Sequence, residues 1–302
     1  MRNISHTNIT SAQGLEAAGK GLNQEVKDKD GNKMPNPKYV SYHDKENELK
    51  TAYQEYDNHT NPCKLEEIGP MPLTPYQKSG LKELYGRERP FLKYLWNEVA
   101  YENGEYIMCP LCGQKAVTDL DHYIPRAKMA EYSVHLLNLI PICHECNVDK
   151  DDRWLDENGK RIIFNAYFDQ LNNIGHLLKC ELIISTVTNN PQVEVSFDNL
   201  AIAAVGEIGS LVYSTYNFIK NIREEWRSKA TKSLKNQVRY ILNSVNVRKR
   251  HGQYKYGDWS FEKEIIQETI DSLLSFEFIE KIVYETMLDS QVFEEWIVKE
   301  TK

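Results

Sequence analysis

Long hydrophobic runs are missing from this sequence of 302 residues. No stretch approaches the roughly 18 to 20 consecutive apolar residues that a membrane-spanning helix needs. The opening residues, MRNISHTNITSAQG, also lack the apolar core of a secretory signal peptide. These absences predict a cytoplasmic protein, in which cysteine thiols stay reduced.

A net basic charge, which nucleic-acid-binding domains usually carry, is lacking too, because the net charge is −7. The charge is nevertheless sorted along the chain. Residues 220–255 contain eleven Lys or Arg and two Glu, whereas residues 260–302 contain eleven Asp or Glu and four Lys. The basic segment could meet phosphates, while the acidic segment could repel them, cover the basic segment or face a protein partner. Two solvated helix faces of opposite sign are the simpler alternative.

A short run inside the basic segment poses the same choice. It combines cations with nearby aromatic side chains and could bind a nucleic-acid backbone and stack bases, or be a solvated loop between helices. The cations of the run are Arg248, Lys249 and Arg250, and the aromatic residues close by are Tyr254, Tyr256 and Trp259.

The chain divides into three parts by composition and periodicity. Residues 1–70 are poor in apolar clusters and rich in Asn, Lys, Asp, Gly and Pro, so we expect an extended or partly disordered, possibly partner-binding arm. Residues 71–178 should form a domain with two short helices ending at Gly104, followed by strand, loop, strand and helix. Residues 179–302 should form a β-hairpin and a helical C-terminal region.

Four of the six cysteines form two Cys-x-x-Cys pairs, Cys109 with Cys112 and Cys143 with Cys146. Two such pairs can supply the four thiolates of a tetrahedral zinc ion, and disulfides, the alternative, are disfavoured in the expected compartment. A four-cysteine zinc site has no open coordination position, so this zinc would be structural and could not activate water.

A second group of polar residues lies between and beside these cysteines. His122 has a side chain whose ordinary pKa, about 6.5, suits proton abstraction near neutrality. Asp121 and Asn147 offer the oxygen ligands that Mg²⁺ prefers. The alternative for His122 is a histidine that is merely satisfied by its neighbours. Because Asn147 follows the zinc ligand Cys146, the structural metal would position a catalytic one.

Three other polar residues in this region have separate interpretations. We expect the Asn138 amide to hydrogen-bond the backbone near His122. Lys150 either approaches a scissile phosphate or lies on the surface near two aspartates. His144 should be exposed and should not replace a cysteine ligand.

The stretch LDHYIPRAKMAEYSVHLLNLIPICHECNVDK, with the upstream CPLCG, resembles the HNH nucleases from Cys109 to Arg153. The resemblance implies an α+β protein, with a small ββα-metal core and a structural four-cysteine zinc embedded in a mainly helical chain. It implies that His122 is the general base, that Asp121 and Asn147 bind Mg²⁺ or Mn²⁺, and that Asn138 is the central Asn of the motif. Residues 71–178 would then be the nuclease domain. Asn147 stands where many members have His, which weakens the case for zinc or nickel as the catalytic metal.

A narrower resemblance rests on MRNI at the start, DHYIP at residues 121–125, the NLIPICHECN run, and FNAYFD at residues 164–169. These stretches look like stand-alone bacterial HNH proteins that are paired with ATPases in Septu-type and retron-associated anti-phage systems. The sequence therefore predicts a metal-dependent endonuclease that hydrolyses DNA and works with an ATPase partner. The alternative is a non-catalytic, zinc-dependent nucleic-acid-binding module, which would need the cysteines but not Asp121, His122 or Asn147.

Overall fold

The computed structural model describes residues 1–86, 89–171, 174–274 and 277–302. Its α-helices are α1 (Ser11–Gly19), α2 (Pro37–His43), α3 (Glu46–Asn58), α4 (Pro75–Leu84), α5 (Pro90–Val99), α6 (His144–Lys150), α7 (Asn199–Val205), α8 (Glu207–Phe218), α9 (Lys220–Arg250), α10 (Ser260–Ser272), α11 (Phe278–Asp289) and α12 (Gln291–Glu300). Among the described residues, no helix combines the length and apolar character needed to cross a membrane.

The strands form two-stranded antiparallel sheets. They are β1 (Glu25–Lys27) with β2 (Lys33–Pro35), β3 (Tyr101–Glu102) with β4 (Glu105–Tyr106), β5 (Asp119–His122) with β6 (Leu139–Ile142), and β7 (Leu178–Ile184) with β8 (Pro191–Phe197). Helices and these small sheets together confirm the α+β class expected from the sequence.

The chain separates into two compact units. Unit 1 consists of residues 3–170 with Met1 and residues 217–219, and unit 2 consists of residues 171–216 and 220–302 with Arg2. The division falls a few residues before the boundary at 178 that was expected from the sequence. The functional assignment of residues 71–178 and 179–302 stays a prediction.

The expectation of an extended arm over residues 1–70 is wrong. This segment forms α1, α2 and α3, and α1 begins with a capping box between Thr10 and Gln13. Tyr53 and Tyr56 on α3 are buried in unit 1, at 2% and 0% exposure. Their spacing and the apolar residues around them supply a buried helix face, which the polar composition of the segment concealed.

The helices of residues 71–104 were predicted correctly except at their end. Helix α5 stops at Val99, and Gly104 lies in the turn between β3 and β4, where Asn103 and Gly104 have φ of 54° and 84°. Asn-Gly is the preferred pair for a two-residue hairpin turn with positive φ at both positions. The dipeptide therefore closes a hairpin rather than a helix.

The ββα core lies in unit 1. Strands β5 and β6 pair with Asp121 opposite Ile140 and His122 opposite Leu139, and α6 follows β6 directly. All four residues of β6 are buried, and Leu139 joins a cluster with Leu92, Leu95, Val99 and Leu136. Helix α6 ends at Lys150 because Asp151 adopts φ of 53°.

Unit 2 contains the predicted hairpin and helices. The β7–β8 hairpin packs against α9 and α11, and the Trp226 ring lies 6.1 Å from that of Phe197 and 5.2 Å from that of Phe278. Helices α10, α11 and α12 agree closely with the stretches expected around 260–275, 277–289 and 291–299.

Candidate metal centre and active-site cleft

The four predicted zinc ligands meet in one buried cluster. The sulfur atoms of Cys109, Cys112, Cys143 and Cys146 all lie within 4.8 Å of one another, and Cys112 Sγ is 3.8 Å from Cys143 Sγ. Four sulfurs bound to one zinc at about 2.3 Å in a tetrahedron would be separated by about 3.8 Å. The donor set therefore fits structural zinc, as predicted.

A cleft of about 550 Å³ lies beside this cluster in unit 1. It brings together three of the residues singled out in the sequence, Asp121, His122 and Asn147. Adjacent strand residues normally point to opposite faces. Asp121 and His122 line the same cleft because β5 ends at His122 and the chain turns toward Pro125.

The tautomer of His122 follows from its hydrogen bond. Nε2 lies 2.9 Å from the Ser133 carbonyl oxygen, which can only accept, so Nε2 carries the proton and Nδ1 keeps its lone pair. Burial lowers the pKa of His122 to about 3, and the nearby charges of Arg126 and Lys150 add to this effect. The ring is therefore neutral near pH 7. The bond to Ser133 acts in the opposite direction, because it favours the imidazolium that proton uptake creates.

Asn138 is fully buried and its amide is saturated with hydrogen bonds. Nδ2 donates to the carbonyls of Ile124 at 3.0 Å and Tyr132 at 3.2 Å, and Oδ1 accepts from the Ile124 amide at 2.8 Å and the Tyr56 hydroxyl at 3.2 Å. The prediction that it hydrogen-bonds backbone near His122 is confirmed. The Asn138 side chain therefore holds the backbone at Ile124, just after His122, and at Tyr132. Tyr132 directly precedes Ser133, whose carbonyl accepts from the His122 ring.

Lys150 takes neither of the two positions expected from the sequence. It has no exposed surface, and its Nζ lies 3.0 Å from Asp121 Oδ2, 3.3 Å from Asp121 Oδ1 and 2.8 Å from the His122 carbonyl oxygen. Lys150 lies three positions after Asn147 on a single short helix, and its side chain is on the buried face of that helix. Burial raises the pKa of Asp121, and the Lys150 ammonium opposes that rise.

Asp119 was missed in the sequence, although it lies two residues before Asp121 and so on the same face of β5. Its Oδ2 accepts from Asn147 Nδ2 at 3.2 Å and from His144 Nδ1 at 3.0 Å. Because a carboxylate only accepts, this contact turns the Asn147 amide nitrogen toward Asp119 and leaves Oδ1 directed elsewhere. His144 is exposed, as predicted.

Tyr85 and Arg126 also line the cleft and were not predicted from the sequence. The Tyr85 ring makes an edge-to-face contact with His122 at 4.5 Å between ring centroids, and its hydroxyl donates to the Leu120 carbonyl at 3.1 Å. The Arg126 guanidinium is 5.6 Å from the centroid of Tyr85 and is exposed at the cleft.

The oxygen donors at this cleft suit a hard divalent cation. Asp121 offers a carboxylate and Asn147 an amide oxygen, the donor types that Mg²⁺ binds. The cysteines, in contrast, are soft ligands that are all used within their own cluster. The two donor sets therefore fit two different ions.

Comparison with known proteins agrees with this geometry. Residues 109–153 match the family model described as HNH endonuclease. The chain is also 30% identical over 82 residues to protein ea31 of Escherichia phage lambda, a match that covers 27% of each protein. The chain thus spans about a quarter of the length of this curated relative. No solved structure matches the chain.

The buried ion pair between Lys150 and Asp121 predicts a large loss of stability for Lys150→Met. This variant leaves a buried carboxylate without its cation, which should lower the free energy of unfolding by about 3–5 kcal/mol. Adding Asp121→Asn should restore a large part of the loss. Urea unfolding of the zinc-loaded chain measures both effects.

Lys128 provides the matched control, because its ion pair with Asp152 at 3.1 Å is solvent-exposed. Lys128→Met should cost less than about 1 kcal/mol. Similar losses for Lys150→Met and Lys128→Met would contradict the buried ion pair.

Proposed function

From the HNH endonuclease domain that this chain carries at residues 109–153, we propose that it hydrolyses phosphodiester bonds of DNA with the help of a divalent metal ion. The observation that carries the proposal is the fixed, neutral imidazole of His122 in a cleft shared with Asp121 and Asn147. A general base and oxygen ligands for a divalent cation are the parts that such hydrolysis needs.

His122 is the general base of this reaction. Its Nδ1 takes a proton from the attacking water, while Nε2–H stays bonded to the Ser133 carbonyl and so stabilises the imidazolium that forms. Asn138 is a positioning residue, because its hydrogen bonds hold the backbone next to His122 and next to Ser133. The Tyr85 ring restricts the imidazole from the side.

Asp121 and Asn147 would hold Mg²⁺ or Mn²⁺. When bound, such an ion stabilises the negative charge that develops on the phosphate and the leaving oxygen. Lys150 keeps the Asp121 carboxylate in place, and Asp119 orients the Asn147 amide, so both act as positioning residues. Arg126, exposed at the same cleft, is the cation placed to meet the substrate phosphate, a role that the buried Lys150 does not fill.

Cleavage of supercoiled plasmid tests this function. The wild-type chain with Mn²⁺ or Mg²⁺ should nick the plasmid, and His122→Ala should lower the rate by about 10²–10⁴-fold because the base is lost. His251→Ala, at an exposed histidine of unit 2, is the control and should leave the rate unchanged. Both variants should keep their zinc.

Equal nicking by wild type and His122→Ala would contradict the assignment of the base. Absence of cleavage by the wild-type chain with either metal would favour the alternative, a zinc-dependent module that binds nucleic acid without cutting it.

The proposed biological setting is bacterial anti-phage defence, with an ATPase as partner and a cytoplasmic location. It is supported by the resemblance of MRNI, NLIPICHECN and FNAYFD to ATPase-paired HNH proteins, and by a thiolate site that requires reduced cysteines.

Affinity purification of the tagged chain from its native host tests the partner. An ATPase should co-purify in a fixed stoichiometry and should remain with the His122→Ala variant, whose surface is intact. Recovery of the chain without any ATPase would contradict this setting.

A further inference from the structure

Helix α9 carries ten Lys or Arg and two Glu over its 31 residues, and this charge has no role in the proposed cleavage site. Several of these cations are neutralised within unit 2. Lys229 pairs with Glu280 on α11, and Arg248 lies 2.9 Å from Glu262, which is completely buried on α10. The acidic C-terminal helices therefore cover one side of the basic helix, one of the arrangements considered from the sequence.

The run Arg248–Arg250 belongs largely to this internal side. Arg248 also approaches Asp258 at 3.7 Å, Lys249 Nζ donates to the Lys302 carbonyl at 3.0 Å, and Trp259 is buried at 4% exposure. These contacts favour a structural role for the run over base stacking.

Another set of cations on α9 has no such partner. Arg227, Lys232 and Lys235 are exposed, and within the described ranges no carboxylate lies within ion-pair distance of them. Arg223, Arg227, Thr231 and Lys235 are spaced four residues apart and so form one stripe along the helix. The stripe is about 18 Å long, roughly five base-pair steps of a duplex.

Like charges four residues apart, such as Arg223 with Arg227, weaken a helix. In other parts of α9 the fold compensates its cations with acids, for example Lys220 with Glu224 at 3.0 Å and Lys229 with Glu280. Arg227, Lys232 and Lys235, which no described carboxylate compensates, are therefore better explained by an anionic partner than by the stability of the helix.

The stripe also borders two concave surfaces of unit 2. One cavity, of about 370 Å³, lies between β8 and α9, and a second, of about 570 Å³, adjoins the same helix. Arg227, Thr231 and Lys235 line both of them. Two acids also line these cavities, Glu194 in the first and Glu224, already paired with Lys220, in the second.

We propose that this surface, the Arg227 face (Arg223, Arg227, Thr231, Lys232 and Lys235), binds the phosphate backbone of a nucleic acid. Cations at regular spacing, with a hydroxyl among them, provide phosphate contacts that do not depend on base sequence. The choice of a nucleic acid over an acidic protein rests on the proposed function. The Arg227 face would supply local affinity for nucleic acid in a chain whose net charge, −7, does not favour such binding.

Fluorescence anisotropy with a labelled 20-base-pair duplex and a 20-nucleotide single strand tests this inference. The full-length chain carries His122→Ala, and no Mg²⁺ or Mn²⁺ is added, so that binding is measured without cleavage. The test variant is Arg227→Glu with Lys235→Glu. The control, Lys255→Glu with Lys299→Glu, makes the same change in net charge at two exposed lysines of unit 2.

The test variant should bind at least about tenfold more weakly at low salt, and the slope of log K against log salt should fall by about 2 for two lost phosphate contacts. The control should change affinity less than about twofold. Arg227→Ala with Lys235→Ala, which retains helix propensity, should lose a similar slope without a lower Tm.

Equal weakening by the test and control pairs, or an unchanged salt slope, would overturn the inference. So would binding of polyglutamate as tight as that of either oligonucleotide, because an acidic protein would then be the better partner. Binding through this face by a wild-type chain that does not cleave would support the inference while refuting the proposed hydrolysis.

Discussion

The convergence of four cysteine sulfurs on one point is the constraint on which the nuclease core depends. Cys109 and Cys112 precede β5, whereas Cys143 lies directly before α6 and Cys146 lies within it. A zinc ion bound by all four would fix the distance between the strand and the helix. That distance decides where Asp121 and Asn147 stand, because one lies on β5 and the other follows Cys146 directly.

The position of His122 depends on a second constraint, a network of hydrogen bonds around Asn138. The amide of Asn138 bonds backbone on both sides of the loop that connects His122 to Ser133, and so fixes the carbonyl that selects the imidazole tautomer. Tyr56 of α3 completes this network from the N-terminal segment. The helices before the HNH motif are therefore part of the structure that supports the proposed active site.

Much of this site could be predicted from the sequence because its residues are close in sequence and their chemistry is specific. The cysteine spacing, the Asp121–His122 pair and Asn147 needed no tertiary information. Other features did need it. The burial of Lys150 depends on which face of a two-turn helix meets the core, and the support from Tyr56 depends on a contact 82 positions away. Asp119 could have been found from strand periodicity alone.

The central claim is that the chain binds two metal ions with separate functions. Under this claim, Cys146 is a ligand of the structural zinc, and the next residue, Asn147, is a ligand of the catalytic cation. Metal counting on the wild-type chain and on Asn147→Ala tests this most directly, with zinc measured by elemental analysis and Mn²⁺ binding by electron paramagnetic resonance. The account predicts one zinc per chain in both proteins, and Mn²⁺ binding that is at least tenfold weaker in the variant. Loss of zinc from Asn147→Ala, or Mn²⁺ binding equal to that of the wild type, would contradict it.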